Sequence, residues 1–309
     1  MIYKKKLRKI LLIYGLTGSG KSDISVNIAK KINGIIINAD SMQIYREIKI
    51  LSARPKLYSK VPHYLYGVIS VKKKFSSGEW LRQVQRIIKR IPKNKLIIFT
   101  GGTGLYFKFL IDGISNIPLI PWKIRDRVKK LNEKLGNIKF HKKLLNLDPK
   151  IKDNIHRNDT QRLIRAYEVK LYTKKSIIDF QKNNKFFVKN FNFIKIFLKS
   201  EKEILYKNLR FRLKKMFENG AIEEVKYFKS LKVKKELSSN FILGVKEILN
   251  YLNRKVTLEE AFELTFIRTK KYVKRQLTWF RGKMKDWIEI PSANKSIAVN
   301  KIIKIISST

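Results

Sequence analysis

The 309-residue chain has no cysteine, which excludes disulfides, a cysteine nucleophile and any cysteine-based zinc site. It also lacks any run approaching the ~18 consecutive apolar residues that a membrane-spanning helix needs, so no membrane partner is expected. The apolar segment 10–14, behind Lys4, Lys5 and Lys6, is short and ends in glycines rather than a small-residue cleavage site. A core strand of a cytoplasmic protein fits it better than a signal peptide. Acidic residues are scarce: 24 against 70 Lys and Arg, for a formal net charge of +46. Such an excess suits a polyanionic partner, because neutralising phosphates drives non-specific nucleic-acid affinity. It equally suits the codon bias of an AT-rich genome, since the lysines are spread along the whole chain and Ile and Asn are also abundant. Charge alone therefore does not name the partner. With 44% apolar residues, the chain can bury a full core as one large domain or two modest ones.

Organisation changes along the chain. Residues 10–14, 34–38 and 95–99 are continuous apolar runs, separated by the helical patterns 23–32 and 79–90. Uninterrupted apolar strands alternating with helices predict a parallel sheet covered on both faces, hence a doubly wound α/β core. From about Pro118 strand signals fade, and residues 122–135, 139–147 and 160–172 read as helices. A further strand is expected at 193–198, followed by helices over 201–218, 221–231, 244–252 and 258–280. The expected layout is an α/β core of residues 1–120 and 191–309, interrupted by a helical insertion over 121–190.

Gly15-Leu16-Thr17-Gly18-Ser19-Gly20-Lys21-Ser22 satisfies the P-loop pattern G-x-x-x-x-G-K-[ST], directly after a strand and opening a helix. Its glycines let backbone N–H groups turn around phosphate oxygens, and the helix N-terminus adds a favourable dipole. Lys21 is expected to supply a point charge and Ser22 a hydroxyl to Mg²⁺. A P-loop binds phosphate without naming the reaction. No N-K-x-D and no D-x-x-G follows, which disfavours a GTPase, and the run 95–99 ends in Thr100-Gly101-Gly102-Thr103 without the carboxylate of a Walker-B strand. An acid does follow the second strand, in Asn38-Ala39-Asp40-Ser41-Met42-Gln43. Residues beyond the strand C-termini of a parallel sheet line its ligand crevice, so Asp40 reads as a base or metal ligand, or else as a helix N-cap.

Five segments together resemble the tRNA dimethylallyltransferase family: the P-loop, residues 38–46, Gly101-Gly102-Thr103-Gly104-Leu105-Tyr106, residues 159–168, and Lys274-Arg275-Gln276-Leu277-Thr278-Trp279-Phe280-Arg281. They occur in the family's order between residues 15 and 281. The chain departs from the usual pattern at Arg54, where Lys is common, at Tyr64, where a second histidine is typical, and at Thr173-Lys174-Lys175, which lacks a common glycine. Without cysteines it lacks the zinc finger of eukaryotic members and resembles the bacterial form.

The resemblance implies transfer of a dimethylallyl group from dimethylallyl pyrophosphate to N6 of the adenine 3′ of the anticodon in tRNA. It implies Asp40 as general base, Thr103 as an active-site threonine, the P-loop around the pyrophosphate, Mg²⁺ as cofactor and a monomer. Contact with tRNA is implied for Asp40, Ser41, Met42, Gln43, Thr103, Arg125, Gln161, Arg162, Leu163, Ile164, Arg165, Lys274, Arg275, Trp279 and Arg281. The residues alone leave alternatives open. Gly102-Thr103 also suits a plain strand-to-helix turn, and Arg125 a solvated helix face. Asp159 or Asn158 can cap a helix on which Gln161 and Arg165 share a face, gripping RNA or pairing with Glu168. Cations and aromatics interleave over 270–281, which suits an RNA backbone and unstacked bases as well as an amphipathic helix. A P-loop kinase and a non-enzymatic basic RNA-binding protein are the competing functions.

Overall fold

The computed structural model describes residues 7–55, 60–182, 184–185 and 191–309. The described residues up to Phe109, with those from 191 on, form one compact unit, and the described residues between them form a second. No helix among the described residues is long and apolar enough to cross a membrane.

The first unit begins with β1 (Arg8–Gly15), α1 (Lys21–Lys31), β2 (Ile35–Asn38), β3 (His63–Tyr64), α2 (Ser77–Arg90), β4 (Ile97–Gly101) and α3 (Gly104–Asp112). Helix α2 starts where the Ser76 hydroxyl accepts the Glu79 amide hydrogen (3.2 Å), satisfying one of the free donors of the first turn. The second unit holds the short antiparallel pair β5 (Ile114–Ser115) and β6 (Asn184–Lys185), with α4 (Trp122–Leu147), α5 (Thr160–Thr173) and α6 (Ile177–Lys182) between them. Expected helices 122–135 and 139–147 meet in α4 at Gly136, whose φ of 68° breaks the helix at a residue without a Cβ. Phe140, Leu144, Leu163, Ala166 and Val169 fill this unit's own apolar core. The Asp159 carboxylate caps α5 by accepting the Arg162 amide hydrogen.

The chain then returns to the first unit with β7 (Phe191–Lys199), α7 (Lys202–Glu218), α8 (Ala221–Ser230), α9 (Val245–Leu252), α10 (Leu258–Lys283), β8 (Ile288–Pro291) and α11 (Lys295–Ser308). Its six strands are all parallel, in the order β3-β2-β4-β1-β7-β8. This is a doubly wound α/β core of the P-loop NTPase type. Period-two alternation sorts β1 between two layers. Leu11 and Ile13 face α1 and α11, among Ile24, Ile28, Val299 and Ile302. Tyr14 points the other way, between Phe107, Phe197 and Phe280 at 5.7–6.1 Å between ring centres. Truncating one fully buried aliphatic of β1, such as Leu12, to Ala is expected to cost about 2–5 kcal/mol.

Strands β3, β5, β6 and β8 and helices α3, α6 and α11 go beyond the sequence expectations. The first has two residues, and β8 has four, of which only Ile290 is buried, so neither carries a recognisable apolar run. The order matters for function. From β1 the chain builds β2, β3 and β4 to one side, then β7 and β8 to the other. The crevice beyond the C-terminal ends of β1 and β7 is therefore the topological switch point, where open α/β sheets bind ligands.

Candidate active site

A cavity of about 600 Å³ opens at that switch point. Its floor is the P-loop from Thr17 to Ser22, its walls come from Asp40 and Gln43, Ser52 and Ala53, and the turns after β7 and β8. The loop's shape follows from its glycines: Gly18 and Gly20 have φ of 86° and 77°, conformations that side chains disfavour. Gly20 is the N-cap of α1 and offers no side-chain cap, so the first-turn N–H groups stay available for an anion. The Ser19 hydroxyl is buried with no hydrogen-bond partner, and Ser22 lines the same cavity.

Two cations face this floor. Lys21 is 8% exposed, and its ammonium donates to the Leu16 carbonyl (3.3 Å). Loss of hydration lowers its pKa from 10.5 to about 8, opposed by the nearby charge of Asp40. Arg212, on α7, donates from Nη2 to the Thr17 hydroxyl (2.8 Å). Burial lowers its pKa as well. A dehydrated guanidinium aimed at a P-loop is a ready second seat for pyrophosphate oxygens. Sequence reasoning missed Arg212, because Leu209-Arg210-Phe211-Arg212-Leu213 reads as an ordinary amphipathic helix.

Asp40 sits at the tip of β2, where the Asn38 side chain organises the turn. Asn38 Oδ1 accepts the Asp40 amide hydrogen (2.8 Å), and its Nδ2 donates to the carbonyls of Asp40 and Leu65 (both 2.9 Å). One Asp40 oxygen accepts the Met42 amide hydrogen (3.0 Å), so it caps a turn and not a helix. The carboxylate lines the large cavity and also a second one of about 390 Å³. Thr17, Arg212, Ser52 and Ala53 are shared in the same way. The second cavity is more apolar, with Met42, Leu209, Leu213 and Tyr272 in its wall and Arg268 and Arg275 beside them. Burial and the Asp40 charge both hold the Tyr272 phenol well above its ordinary pKa, so it stays protonated.

Other expected site residues fall into four groups. Met42, Gln43 and Arg275 line a cavity with Asp40. Thr103 and Ser41 line neither; the Thr103 hydroxyl accepts the Ser41 amide hydrogen (3.0 Å) and donates to the Ser41 hydroxyl (3.2 Å), tying the β4 tip to the Asp40 turn. Lys274 and Arg281 are exposed on α10, and Trp279 packs on the start of α3, where a Cβ on Gly104 would lie 2.1 Å from its ring. In the second unit, Arg125 and Arg165 both pair with the buried carboxylate of Glu168 (3.4 and 3.1 Å), while Gln161 and Arg162 are exposed. Leu163 is fully buried in that unit's core, so its side chain supports α5 and presents nothing to a ligand; Ile164 is half-buried against it. No group of three or more His, Cys, Asp or Glu positioned for a metal ion occurs among the described residues.

The comparisons with known proteins agree with this geometry. The sequence model described as IPP transferase matches residues 43–283, well over half the chain. A tRNA dimethylallyltransferase of Pelagibacter ubique is 47% identical over 97% of this chain and 96% of its own length. The crystal structure of a full-length tRNA isopentenylpyrophosphate transferase from Bacillus halodurans is 30% identical, covers 97% of this chain and 96% of its own, and superposes with a TM-score of 0.69. A eukaryotic dimethylallyltransferase captured acting on tRNA gives a TM-score of 0.83 at 27% identity, over 97% of this chain and 80% of that one. A P-loop crevice with a carboxylate shared by two cavities thus coincides with similarity over nearly the whole length, and the chain belongs to the IPP transferase family, that of the tRNA dimethylallyltransferases.

Proposed function

We propose that this protein transfers a dimethylallyl group from dimethylallyl pyrophosphate to N6 of the adenine 3′ of the anticodon in tRNA, acting as a monomer. One observation carries the reading: Asp40 lines both cavities, one floored by a phosphate-binding loop and the other apolar and rimmed by arginines. In this reading the pyrophosphate occupies the first cavity, against the P-loop amides, Lys21 and Arg212. The target adenine enters the second, and the allylic carbon lies where the two meet.

The chemistry follows from those positions. The N6 nitrogen attacks C1 of the dimethylallyl group as the C1–O bond to pyrophosphate breaks, and a proton passes from N6 to Asp40. A positioned carboxylate base contributes typically ~10²–10⁴-fold. Charge grows on the departing pyrophosphate, where the loop amides, Lys21 and Arg212 are already oriented, so little reorganisation accompanies the reaction. The residues present suit a Mg²⁺ ion held mainly by the pyrophosphate itself. Ser22 and the unpartnered Ser19 hydroxyl offer neutral oxygens, and no carboxylate cluster competes among the described residues. When bound, the ion adds positive charge at the leaving group.

The acceptor must leave its stack to be modified, at a cost of a few kcal/mol. The helical insertion, residues 121–190, clasps the anticodon stem-loop and offsets that cost, with Gln161 and Arg162 facing RNA. Lys274, Arg275 and Arg281 of α10 contact the same tRNA backbone. The test is incubation of the protein with tRNA, labelled dimethylallyl pyrophosphate and Mg²⁺, then nucleoside analysis. Folded protein that forms no N6-isopentenyladenosine would overturn the reading, and ATP γ-phosphate transfer to a small acceptor would favour a kinase instead.

A further inference from the structure

Gln276 lies on α10, is 4% exposed, and touches neither cavity. Its amide joins the two halves of the site. Oε1 accepts the Thr17 amide hydrogen (3.0 Å), and Nε2 donates to the Gly102 carbonyl (2.8 Å). Its own backbone carbonyl accepts the Tyr14 hydroxyl (3.0 Å), which holds α10 over the end of β1. One step beyond Thr17 stands Arg212, on the Thr17 hydroxyl. One step beyond Gly102 stands Thr103, on Ser41 beside Asp40.

We infer that Gln276 is a positioning residue that sets the spacing between the pyrophosphate cradle and the Asp40 turn. The inference rests on the prenyl-transfer reading and refines it. Three features support a spacing role over simple filling of space. The amide takes the Thr17 N–H, while the Ser19 N–H already donates to the Leu16 carbonyl (3.1 Å), so Gln276 fixes the loop at its entry. The amide gives its oxygen to one loop and an N–H to the other, and only one of its two flip states satisfies both. Both of its loop contacts are to backbone atoms, so it fixes main-chain positions, and the same side chain also hydrogen-bonds the Tyr272 phenol in the wall of the second cavity. Holding reacting groups within a fraction of an ångström matters steeply, and a 1 Å misplacement costs on the order of 10²-fold in rate.

The experiment compares Gln276→Glu, Gln276→Met and Gly102→Ala with the parent protein. At neutral pH the Gln276→Glu carboxylate keeps an acceptor for Thr17 but opposes the Gly102 carbonyl. Protonated, it again has one donor and one acceptor, and burial places that protonation above the ordinary carboxylate range. The titratable groups around it are Tyr14 and Tyr272, with Asp40 beside Gly102 and Arg212 on Thr17. All are present in the parent too, so the variant-to-parent ratio removes their contribution. The expected result is a kcat lowered about 10- to 100-fold in Gln276→Glu at pH 8, with KM for both substrates and the Kd for inorganic pyrophosphate within about threefold of the parent. The ratio should return to within about threefold as pH falls to 6, while Gln276→Met shows the same loss without recovery. Gly102→Ala reaches the bridge from its other end, because a Cβ there would lie 2.3 Å from Nε2. It should lower kcat alone, and combining it with Gln276→Met should add little, as both break one link. Unchanged kcat in the variants, equal losses in kcat and pyrophosphate affinity, or additive losses in the double variant would each overturn the inference. If Gln276→Met does not fold, Gly102→Ala and the pH ratio still decide it. Parent protein that prenylates no tRNA would instead remove the underlying reading.

Discussion

Pyrophosphate binding should take up a proton, and the structure sets the amount. Lys21 carries a pKa of about 8 against the ordinary 10.5 because its ammonium is stripped of water before any anion arrives. At ~1.4 kcal/mol per pH unit, keeping it charged in the empty site costs about 3 kcal/mol. A bound pyrophosphate restores the charge's partner and returns the pKa toward or above its ordinary value. Binding should then take up about 0.5 proton per site at pH 8 and about 0.9 at pH 9. The affinity should fall nearly tenfold per pH unit above 8. Calorimetry in buffers of different ionisation enthalpy reads the proton count directly, and Lys21→Met controls for the ligand's own ionisation. Stability has the opposite trend. Since the folded pKa lies below the unfolded one, the unfolded chain binds more protons between pH 8 and 10.5, so Lys21 makes the ligand-free protein more stable as pH rises through that window. Below pH 8 the Lys21→Met variant should therefore melt higher than the parent while no longer being protected by pyrophosphate. Proton uptake below about 0.2 at pH 9, or a Lys21→Met variant that melts lower, would refute the reasoning.

Arg212→Met removes a charged donor from the cradle. Charge-assisted hydrogen bonds contribute about 1.5–3 kcal/mol, so the Kd for pyrophosphate should rise roughly 10- to 150-fold, with the melting temperature unchanged or raised. Loss of both affinity and stability in calorimetry and thermal melts would contradict a seat role. Asp40→Asn should lower prenylation about 10²–10⁴-fold while leaving pyrophosphate and tRNA affinity nearly intact, since the amide keeps the Met42 contact but accepts no proton. Deleting roughly residues 122–190 should abolish tRNA binding in a gel-shift assay and leave pyrophosphate binding unchanged; retained tRNA affinity would sink the clasp. Glu224 accepts the amide hydrogens of Ile50 (2.7 Å) and Leu51 (2.9 Å), so Glu224→Ala should destabilise by about 1–3 kcal/mol and loosen the Ser52–Ala53 cavity wall, raising KM for the donor.

Much of the site was legible before any fold was known, because its signals are contiguous. The P-loop needs eight consecutive residues between a strand and a helix, and those residues alone specify an anion cradle. Asp40 was legible too, since a residue just past a parallel strand must face the crevice. The helix patterns on either side of Gly136 were readable for the same local reason, although only the backbone φ showed where they join.

Arg212, Gln276 and Glu224 were not legible. Arg212 and Gln276 each lie on an amphipathic helix, where a polar residue near the core reads the same whether it faces water, a ligand or another loop. Arg165 shows the converse. It looked suited to RNA, yet its guanidinium meets the buried Glu168 carboxylate, a partner that only packing reveals.

The amino-acid sequence by itself determined the phosphate cradle, the parallel α/β core and the family, since glycine dihedrals, apolar periodicity and motif order act over short stretches of chain. Tertiary structure decided what surrounds the cradle. Parallel pairing of β1 with β4 and β7 opened the crevice beside Asp40, and the packing of α7 and α10 across it brought Arg212 and Gln276 onto Thr17 from about 195 and 259 residues away. Distances of that kind are set by how helices bury their apolar faces, which no local pattern encodes.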